Sequence, residues 1–202
     1  GAPARIAVLK SANPLRLAMA RDLGAEITIA ETGTEGFAIC DRLVKEEGLT
    51  FIHPFDGRNV ALGTGTLGAE IADDAPDLDA VVIAVGGGGL ASGAARAIKL
   101  LRPDCAVYGV EPAGAPSMRR SFDQGSPVKL ERIDTVADSL APPMALPYSY
   151  GLARAHIDDV VLVDDDAICA ALALMQAEAR LAVEPAAAAP VAALMGPLRE
   201  RL

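Results

Sequence analysis

The chain has few cysteines, with three among its 202 residues. Cys40, Cys105 and Cys169 lie far apart in the sequence, and their spacing does not match that of a metal site. Each cysteine lies in an apolar stretch, which predicts reduced thiols in the core of a cytoplasmic protein.

Histidine is scarcer still, with two residues. His53 precedes Pro54 at the end of a predicted strand and is expected to be structural, whereas His156 is expected to be a cap or surface group at a helix end. No Ser-His-Asp arrangement and no nucleophile elbow can be built from these residues, which excludes that type of hydrolase.

Positive charge is also in short supply, because 18 Lys and Arg residues face 27 Asp and Glu residues and leave a net charge of −9. This acidic balance argues against a nucleic-acid partner and against binding to anionic membrane surfaces. No apolar run approaches the ~18 residues of a membrane span, and no secretory signal is visible. Hydrophobic residues make up 51% of the chain, so it is expected to bury a substantial core.

Glycine, in contrast, is concentrated in one place, which we call the glycine loop (Gly86–Gly89). It follows the run Val81–Val85, which predicts a strand buried on both faces, and precedes Leu90–Leu101, which predicts a helix. A glycine turn before a helix N-terminus directs several N–H groups at one point, where the helix dipole favours negative charge. The pattern predicts a phosphate site, and the alternative is a tight turn without a ligand.

The glycine loop does not by itself identify the phosphate. It lacks the lysine that completes a triphosphate-binding loop. Its similarity to the dinucleotide fingerprint is weak, but Glu111, after the predicted strand Ala106–Val110, is a candidate ribose-binding acid. A dinucleotide site therefore remains an alternative.

Residues 1–53 are predicted to form a small βαβ lobe. Strands are expected at Arg5–Leu9, Ala25–Ala30 and Thr50–His53, and helices from Pro14 to Gly24 and over Thr34–Glu47, with Asn13 as the first N-cap. This alternation is typical of a parallel sheet.

Residues 54–202 are predicted to form a larger lobe that binds the phosphate. A helix is expected to begin at Gly63–Thr66 and to end near Ala72, and the segment Glu111–Leu146 is expected to be irregular. The later predicted elements are a helix over Tyr148–Ala155, a strand over Asp159–Val163, a long helix from Asp164 to about Val183 and a helix over Ala186–Leu194. The triplet Asp164–Asp166 is assigned to helix capping rather than to a metal.

Several segments, in this order, resemble the pyridoxal-phosphate enzymes of the threonine dehydratase and serine racemase group, which share the tryptophan synthase β-chain-like fold. Any one segment is weak evidence, but the ordered set is specific and covers nearly the whole chain. The segments are Ala12–Leu15, Leu23–Glu26, His53–Asp56, Gly63–Thr66, Gly86–Gly89, Gly109–Pro112, Thr135–Leu140 and Val183–Ala188.

The resemblance implies an α/β fold of parallel sheets flanked by helices, in two lobes with the cofactor site between them. It implies that the cofactor is pyridoxal 5'-phosphate, that Gly86, Gly87, Gly88 and Gly89 bind its phosphate, and that Gly63–Thr66 lies at the edge of the same site. Glu184 corresponds to the family's glutamate near the cofactor ring, and the alternative for Glu184 is a helix-start carboxylate beside Pro185. The implied activity is that of an ammonia-lyase, which converts a β-hydroxy amino acid into a keto acid and ammonia through loss of water.

The chain departs from the family pattern in its lysines. The family's Schiff-base lysine lies in a Ser-x-Lys-x-Arg-Gly type segment, which does not occur here. Lys10, Lys45, Lys99 and Lys129 lack that context and are all expected to be solvated charges. The segments that hold the ring and face the pyridine nitrogen are missing too, so the fold is expected to be incomplete at both ends. We therefore expect no catalytic residue in this chain and no turnover by it alone.

A second departure concerns metal. Some family members bind a divalent cation through positions that correspond here to Glu111, Ala115 and Ser117, and serine replaces an aspartate ligand. No metal site is predicted. Ser139 stands where glycine is common in the family, and this substitution is expected to narrow the substrate pocket.

Two other functions remain open from the sequence. One is a racemase or β-replacement enzyme of the same fold, and the other is a non-catalytic α/β module that binds a phosphate or a nucleotide. The expected partners are a small amino-acid substrate and further copies of the chain, because apolar surface would be exposed where the missing segments pack.

Overall fold

The structure of the protein is a computed structural model, and it describes residues 2–202. The chain forms two compact units, of which the first ends at Ile52 and the second begins at His53. Both units contain parallel sheets with helical connections, so the predicted α/β class is confirmed.

The first unit contains two strands and two helices. They are β1 (Arg5–Leu9), α1 (Pro14–Asp22), β2 (Glu26–Ala30) and α2 (Gly33–Glu47). The strands pair in parallel, from Arg5 opposite Glu26 to Leu9 opposite Ala30.

The helix ends of the first unit follow from local chemistry. The Asn13 side chain accepts a hydrogen bond from the Leu15 N–H (2.8 Å), as expected for an N-cap. Thr32 caps α2 in the same way, and α2 ends where Gly48 takes a left-handed φ of 66°.

The strand predicted at Thr50–His53 does not form, and that prediction is wrong. The sheet of the first unit has two strands, and residues 48–57 contain none. A short run of β-type residues forms a strand only when a neighbouring strand supplies ladder partners. Here the Phe51 ring packs edge-on against Phe37, with centroids 6.3 Å apart, and the backbone bends at Pro54 and Phe55.

The second unit has a three-stranded parallel sheet with β4 in the centre. Its elements are α3 (Arg58–Asp74), β3 (Ala80–Ala84), α4 (Gly89–Leu101), β4 (Ala106–Pro112), α5 (Ser117–Gln124), a 3-10 turn (Asp138–Leu140), α6 (Pro147–His156), β5 (Asp159–Val163), α7 (Asp165–Glu178) and α8 (Pro185–Met195). Ala80 pairs with Ala106 at the start of β3, and Tyr108 pairs with Asp159 at the start of β5.

Side chains of the sheet alternate between two hydrophobic clusters, as strand geometry requires. Ile83 and Val107 pack in the cluster that includes α4 and α6 residues, whereas Val110 and Val163 pack in the cluster that includes α7 and α8 residues. The sheet is therefore covered by helices on both faces, and its carboxyl ends meet at one edge.

Three predicted boundaries in the second unit were wrong. Helix α3 begins at Arg58, so Gly63–Thr66 lies inside it rather than at its start. Glycine costs helix stability, but Gly68 of α3 lies so close to the Ala94 backbone of α4 that a Cβ would overlap it. Close helix packing therefore offsets the unfavourable propensity of this glycine-containing segment.

The segment predicted to be irregular contains α5 and the 3-10 turn, and the long helix ends at Glu178 rather than near Val183. Helix α5 is supported by a buried carboxylate from β4, which no local pattern reveals. After α7, Arg180 takes a left-handed φ of 58°, which is incompatible with continuation of the helix.

The prediction of three core thiols is correct only for Cys105, which is buried. Cys169 is exposed because α7 turns Ile168 and Ala171 toward the core, and Cys40 is half-buried. None of the three forms a disulfide.

Within residues 2–202, no helix combines the length and the apolar character needed to cross a bilayer.

Candidate functional site

The glycine loop connects the carboxyl end of β3 to the N-terminus of α4. Val85 extends the sheet by one more bond, since its N–H donates to the Val110 carbonyl at 2.8 Å. Gly88 then takes a left-handed φ of 88° at the N-cap position of α4. A residue with a side chain would be strained there, so this position requires glycine.

The amides of the glycine loop are enclosed but unpaired. Gly87, Gly88 and Gly89 are buried and Gly86 is half-buried. Among the hydrogen bonds of residues 2–202, none has an amide of Gly86–Gly89 as its donor. A buried amide without an acceptor costs about as much free energy as a lost hydrogen bond. These amides lie at the positive end of the α4 dipole, so an anion with several oxygen atoms is the acceptor that fits them.

The glycine loop is also packed so closely that no side chain fits on it. A Cβ on Gly87 would overlap the Phe55 ring, and one on Gly89 would lie 2.8 Å from the Phe55 carbonyl oxygen. A Cβ on Gly88 would lie 2.6 Å from Cε of Met118, and one on Gly86 would lie 3.1 Å from the Ser139 carbonyl oxygen. Neighbouring residues therefore hold the bare backbone in place.

Helix α3 supports the same loop through Thr64, which belongs to the predicted Gly63–Thr66 segment. The Thr64 Oγ1 lies 2.9 Å from the Gly89 carbonyl oxygen and 3.0 Å from the Val60 carbonyl oxygen. The hydroxyl thus links α3 to the first residue of α4. This contact brings the Gly63–Thr66 segment to the edge of the glycine loop.

The segment His53–Asp56, which we call the entry turn, lies against the glycine loop. Its Phe55 contacts Gly87 and Gly89, as the Cβ overlaps above indicate. The Asp56 Oδ1 accepts hydrogen bonds from both the N–H (2.8 Å) and the hydroxyl (2.7 Å) of Ser149. The expectation that His53 is structural does not extend to Asp56, and no local signal in the sequence points to Ser149, which is 93 residues away.

Ser139 brings Glu184 to the same region. The Ser139 Oγ donates to Glu184 Oε2 at 3.0 Å, while the Ser139 backbone lies against Gly86. Glu184 occupies the N-cap position of α8, yet its side chain makes no capping bond to that helix. The carboxylate is therefore oriented by Ser139 rather than by helix capping.

Asp165 anchors the segment that carries Ser139. Its Oδ1 accepts from the Thr135 hydroxyl at 2.7 Å, and its Oδ2 accepts from the Val136 N–H at 2.9 Å. The capping prediction holds for Asp164, whose side chain accepts from the Ala167 N–H at 2.7 Å. Asp165 thus adds a tertiary role to its place in the first turn of α7.

These observations agree with the comparison to protein families. The model of the family described as pyridoxal-phosphate dependent enzyme matches residues 1–202. The chain belongs to this family.

Individual relatives support the same membership. The chain is 46% identical over 202 residues to a phenylserine dehydratase of Ralstonia pickettii, and the match covers 100% of this chain and 62% of the relative. It is 34% identical over 199 residues to an L-threonine ammonia-lyase of Thermotoga maritima, covering 98% of this chain and 50% of that protein. The chain therefore spans between half and two thirds of the length of these relatives.

Solved structures of the family have the same fold. The chain superposes on the T.th. threonine deaminase with a TM-score of 0.93 and 33% identity, covering 100% of this chain and 67% of that one. It superposes on maize serine racemase with a TM-score of 0.92 and 29% identity, covering 98% and 60%. The predicted pyridoxal-phosphate fold is confirmed, and pyridoxal phosphate is the cofactor of this family.

Glu111 is not available to a ribose, so the dinucleotide interpretation is wrong. Its side chain is fully buried and accepts from the N–H groups of Met118 and Arg119, both at 2.7 Å, and from the Ser117 hydroxyl at 3.3 Å. Burial raises the Glu111 pKa to about 7, although these three hydrogen bonds and the Arg119 charge favour the ionised form. The Glu111 side chain therefore accepts hydrogen bonds from the N–H groups at the N-terminus of α5.

Metal ligands are not clustered in the part of the chain that the structure describes. Within residues 2–202, no group of three or more His, Cys, Asp or Glu residues could hold an ion. The Ser117 hydroxyl donates to Glu111 Oε1 at 3.3 Å.

The prediction of solvated lysines is wrong for Lys99. Its side chain is 20% exposed, and its Nζ lies 2.8 Å from Asp158 Oδ2. Lys10 is exposed and pairs with Glu31 at 3.1 Å, as a solvated charge does. Because Lys99 is in the last turns of α4, it lies at the opposite end of that helix from the glycine loop.

Proposed function

We propose that Gly86, Gly87, Gly88 and Gly89 bind the phosphate of pyridoxal 5'-phosphate, with Glu184 beside the cofactor. The protein that contains this chain is proposed to be an ammonia-lyase for a β-hydroxy amino acid. Its products would be the corresponding keto acid and ammonia.

The observation that carries the proposal is the set of enclosed amides in the glycine loop. Their hydrogen-bonding capacity is unused within residues 2–202, and they lie at a helix N-terminus at the carboxyl edge of a parallel sheet. Ligands of open α/β sheets bind at that edge. A phosphate monoester brings three acceptor oxygens and a negative charge, which matches both features of the loop.

The residues of this chain bind and orient rather than react. When bound, pyridoxal phosphate supplies the electron sink that stabilises negative charge at the α carbon of an amino acid. The glycine loop would fix the phosphate end, while Thr64 and Phe55 hold the loop. The Ser139 hydroxyl would keep the Glu184 carboxylate in one orientation at the side of the site.

None of the four lysines has the sequence context of the family's Schiff-base lysine. We therefore propose that the 202-residue chain binds the cofactor without a covalent bond and does not turn over substrate by itself. No catalytic residue is assigned within it.

The substrate class follows from the chemistry named in the relatives, phenylserine dehydratase and L-threonine ammonia-lyase. Both names denote an amino acid with a hydroxyl at the β carbon. A racemase is the second candidate, since maize serine racemase superposes with a TM-score of 0.92. We further propose a cytoplasmic homo-oligomer, in keeping with the free thiols and with exposed apolar side chains such as Leu23 and Leu15.

The test uses the protein expressed from the complete reading frame that encodes this chain. It is incubated with pyridoxal phosphate and then with phenylserine, threonine or serine, and keto acid, ammonia and D-amino acid are measured. Keto acid with an equivalent of ammonia is expected. D-amino acid without keto acid would support the racemase. Cofactor binding without either product would support a non-catalytic binding module.

A second measurement addresses the 202-residue chain alone. After incubation with pyridoxal phosphate and borohydride, no single lysine is expected to carry a stoichiometric cofactor adduct, although exposed lysines can be labelled at low occupancy. A stoichiometric cofactor adduct on one of the four lysines would contradict the proposal that this chain binds the cofactor without a covalent bond.

A further inference from the structure

We propose that His53 is a positioning residue for the glycine loop, and that it acts as a neutral hydrogen-bond acceptor that shapes the entry turn. The inference rests on the proposed function, because the loop is taken to bind a phosphate. It adds a residue that does not touch the phosphate but controls how well the loop is held.

The entry turn is organised around the imidazole. His53 Nδ1 accepts hydrogen bonds from the N–H of Phe55 (3.2 Å) and the N–H of Asp56 (2.9 Å). Pro54, which lies between His53 and Phe55, has no N–H that could compete for the ring nitrogen. A ring nitrogen accepts only when it carries no proton, so this geometry requires the neutral imidazole with its proton on Nε2.

The turn directs two side chains at the glycine loop. Phe55 lies against Gly87 with its ring and against Gly89 with its backbone. Asp56 takes both hydrogen bonds from Ser149, whose Cβ would be 3.3 Å from a Cβ on Gly88. The turn therefore reaches three of the four glycines, directly or through Ser149.

Protonation of His53 would remove this support. The imidazolium carries N–H groups at both ring nitrogens, so Nδ1 would face two backbone donors with a donor of its own. The Phe55–Asp56 backbone would have to move, and the contacts with Gly87, Gly88 and Gly89 would loosen with it.

Burial of His53 favours the neutral form of its imidazole. Burial lowers the pKa of His53, and the nearby Asp56 carboxylate opposes this effect by raising it. The Phe55 ring packs edge-on against the imidazole with centroids 4.7 Å apart. Loss of loop support is therefore expected below the ordinary histidine range, as the pH falls from neutral toward 5.

The experiment compares three forms of the 202-residue chain with the wild type. His53→Asn keeps a side-chain oxygen that accepts from the following backbone N–H groups, as in an Asx turn, but it does not titrate. His53→Leu removes the acceptor. His156→Asn is the matched control, because His156 lies at the end of α6 and bonds to the Leu152 carbonyl of its own helix.

The ligand is pyridoxamine 5'-phosphate, an amine that cannot condense with lysine, and its dissociation constant is measured by calorimetry between pH 5 and 8. The phosphate itself titrates near pH 6. The readout is therefore the ratio of the dissociation constants of wild type and His53→Asn at each pH, in which the ligand's own titration cancels. Unphosphorylated pyridoxamine reports binding that does not involve the phosphate.

At pH 8 the wild type and His53→Asn are expected to bind alike, while His53→Leu, which leaves the N–H groups of Phe55 and Asp56 without their acceptor, binds about tenfold more weakly. As the pH falls below 6.5 the wild type should weaken progressively relative to His53→Asn, and His156→Asn should follow the wild type. A ratio of wild type to His53→Asn that does not change with pH would overturn the inference.

Two further measurements distinguish a failure of the inference from unfolding of a variant and from a failure of the proposed function. Thermal melting at each pH identifies a variant that has unfolded, and His53→Asn keeps the test decisive if His53→Leu does not fold. Failure of the wild type to bind pyridoxamine phosphate saturably at pH 8 would overturn the proposed function, and with it the basis of the inference.

Discussion

Replacing Gly87 with alanine tests the packing of the glycine loop most directly. The new Cβ would lie 2.7 Å from Cε2 of Phe55 and closer still to two other ring carbons. Real Cβ atoms do not make such contacts, so the ring or the loop must move. Overpacking of this kind costs roughly 1–3 kcal/mol, and we expect Gly87→Ala to lower the free energy of unfolding by about 2 kcal/mol.

The matched control is Gly63→Ala, in the interior of α3. No atom outside the helix lies within 4 Å of the position that its Cβ would occupy. Alanine is the better helix former by roughly 1 kcal/mol, so this variant should be slightly more stable than the wild type. The two glycine-to-alanine changes are thus expected to have opposite signs.

A double-mutant cycle with Phe55→Ala identifies the cause of the loss. Phe55 is half-buried, so Phe55→Ala should cost about 2 kcal/mol, less than the roughly 3–5 kcal/mol of a fully buried ring. In that background Gly87→Ala should cost under about 0.5 kcal/mol, because the ring that it would strike has gone.

The assay is urea denaturation at one pH, followed by circular dichroism, of five forms: the wild type, the three single variants and the Gly87→Ala/Phe55→Ala double variant. A loss on Gly87→Ala that is the same with and without the Phe55 ring would refute the steric argument. The same would be true if Gly87→Ala were as stable as Gly63→Ala.

Two other predictions concern single carboxylates. Asp165→Ala should lower the free energy of unfolding by about 2 kcal/mol more than Asp166→Ala, because both remove a charge from the first turn of α7 but Asp165 also binds Thr135 and Val136; equal losses in urea titrations would contradict this. The Glu111 pKa is raised from 4.5 to about 7, so its contribution to stability is fully present below 4.5 and is lost as the pH rises through about 7. Glu111→Gln should therefore gain stability relative to the wild type between pH 5 and 8, and a difference that is constant with pH would argue against the assignment.

Much of the fold could be predicted because its signals are local. Asn13 and Asp164 cap their helices through neighbouring N–H groups, and Gly48 ends α2 through its left-handed φ. The strand Asp159–Val163 was predicted with the observed bounds. Each of these depends on residues a few positions apart.

The errors occurred where long-range contacts decide the outcome. Thr50–His53 has strand-forming residues but no partner strand, so its propensity is not realised. Ser117–Gln124 has little helical signal, yet it forms α5 because the buried Glu111 carboxylate accepts its first N–H groups. Neither effect can be inferred from a window of neighbouring residues.

The sequence by itself determined the bare backbone between β3 and α4, because consecutive glycines after a buried strand leave N–H groups that a side chain would otherwise cover. Tertiary structure decided what surrounds that backbone. Phe55 contacts Gly87 and Gly89. Ser139, whose backbone lies against Gly86, donates a hydrogen bond to Glu184, which is 45 positions away, and Ser149 donates to Asp56 across 93 positions. The physical reason is that a glycine N–H is left uncovered by the residues of one short segment. The residues that enclose it come from elements that pack together only in the folded chain.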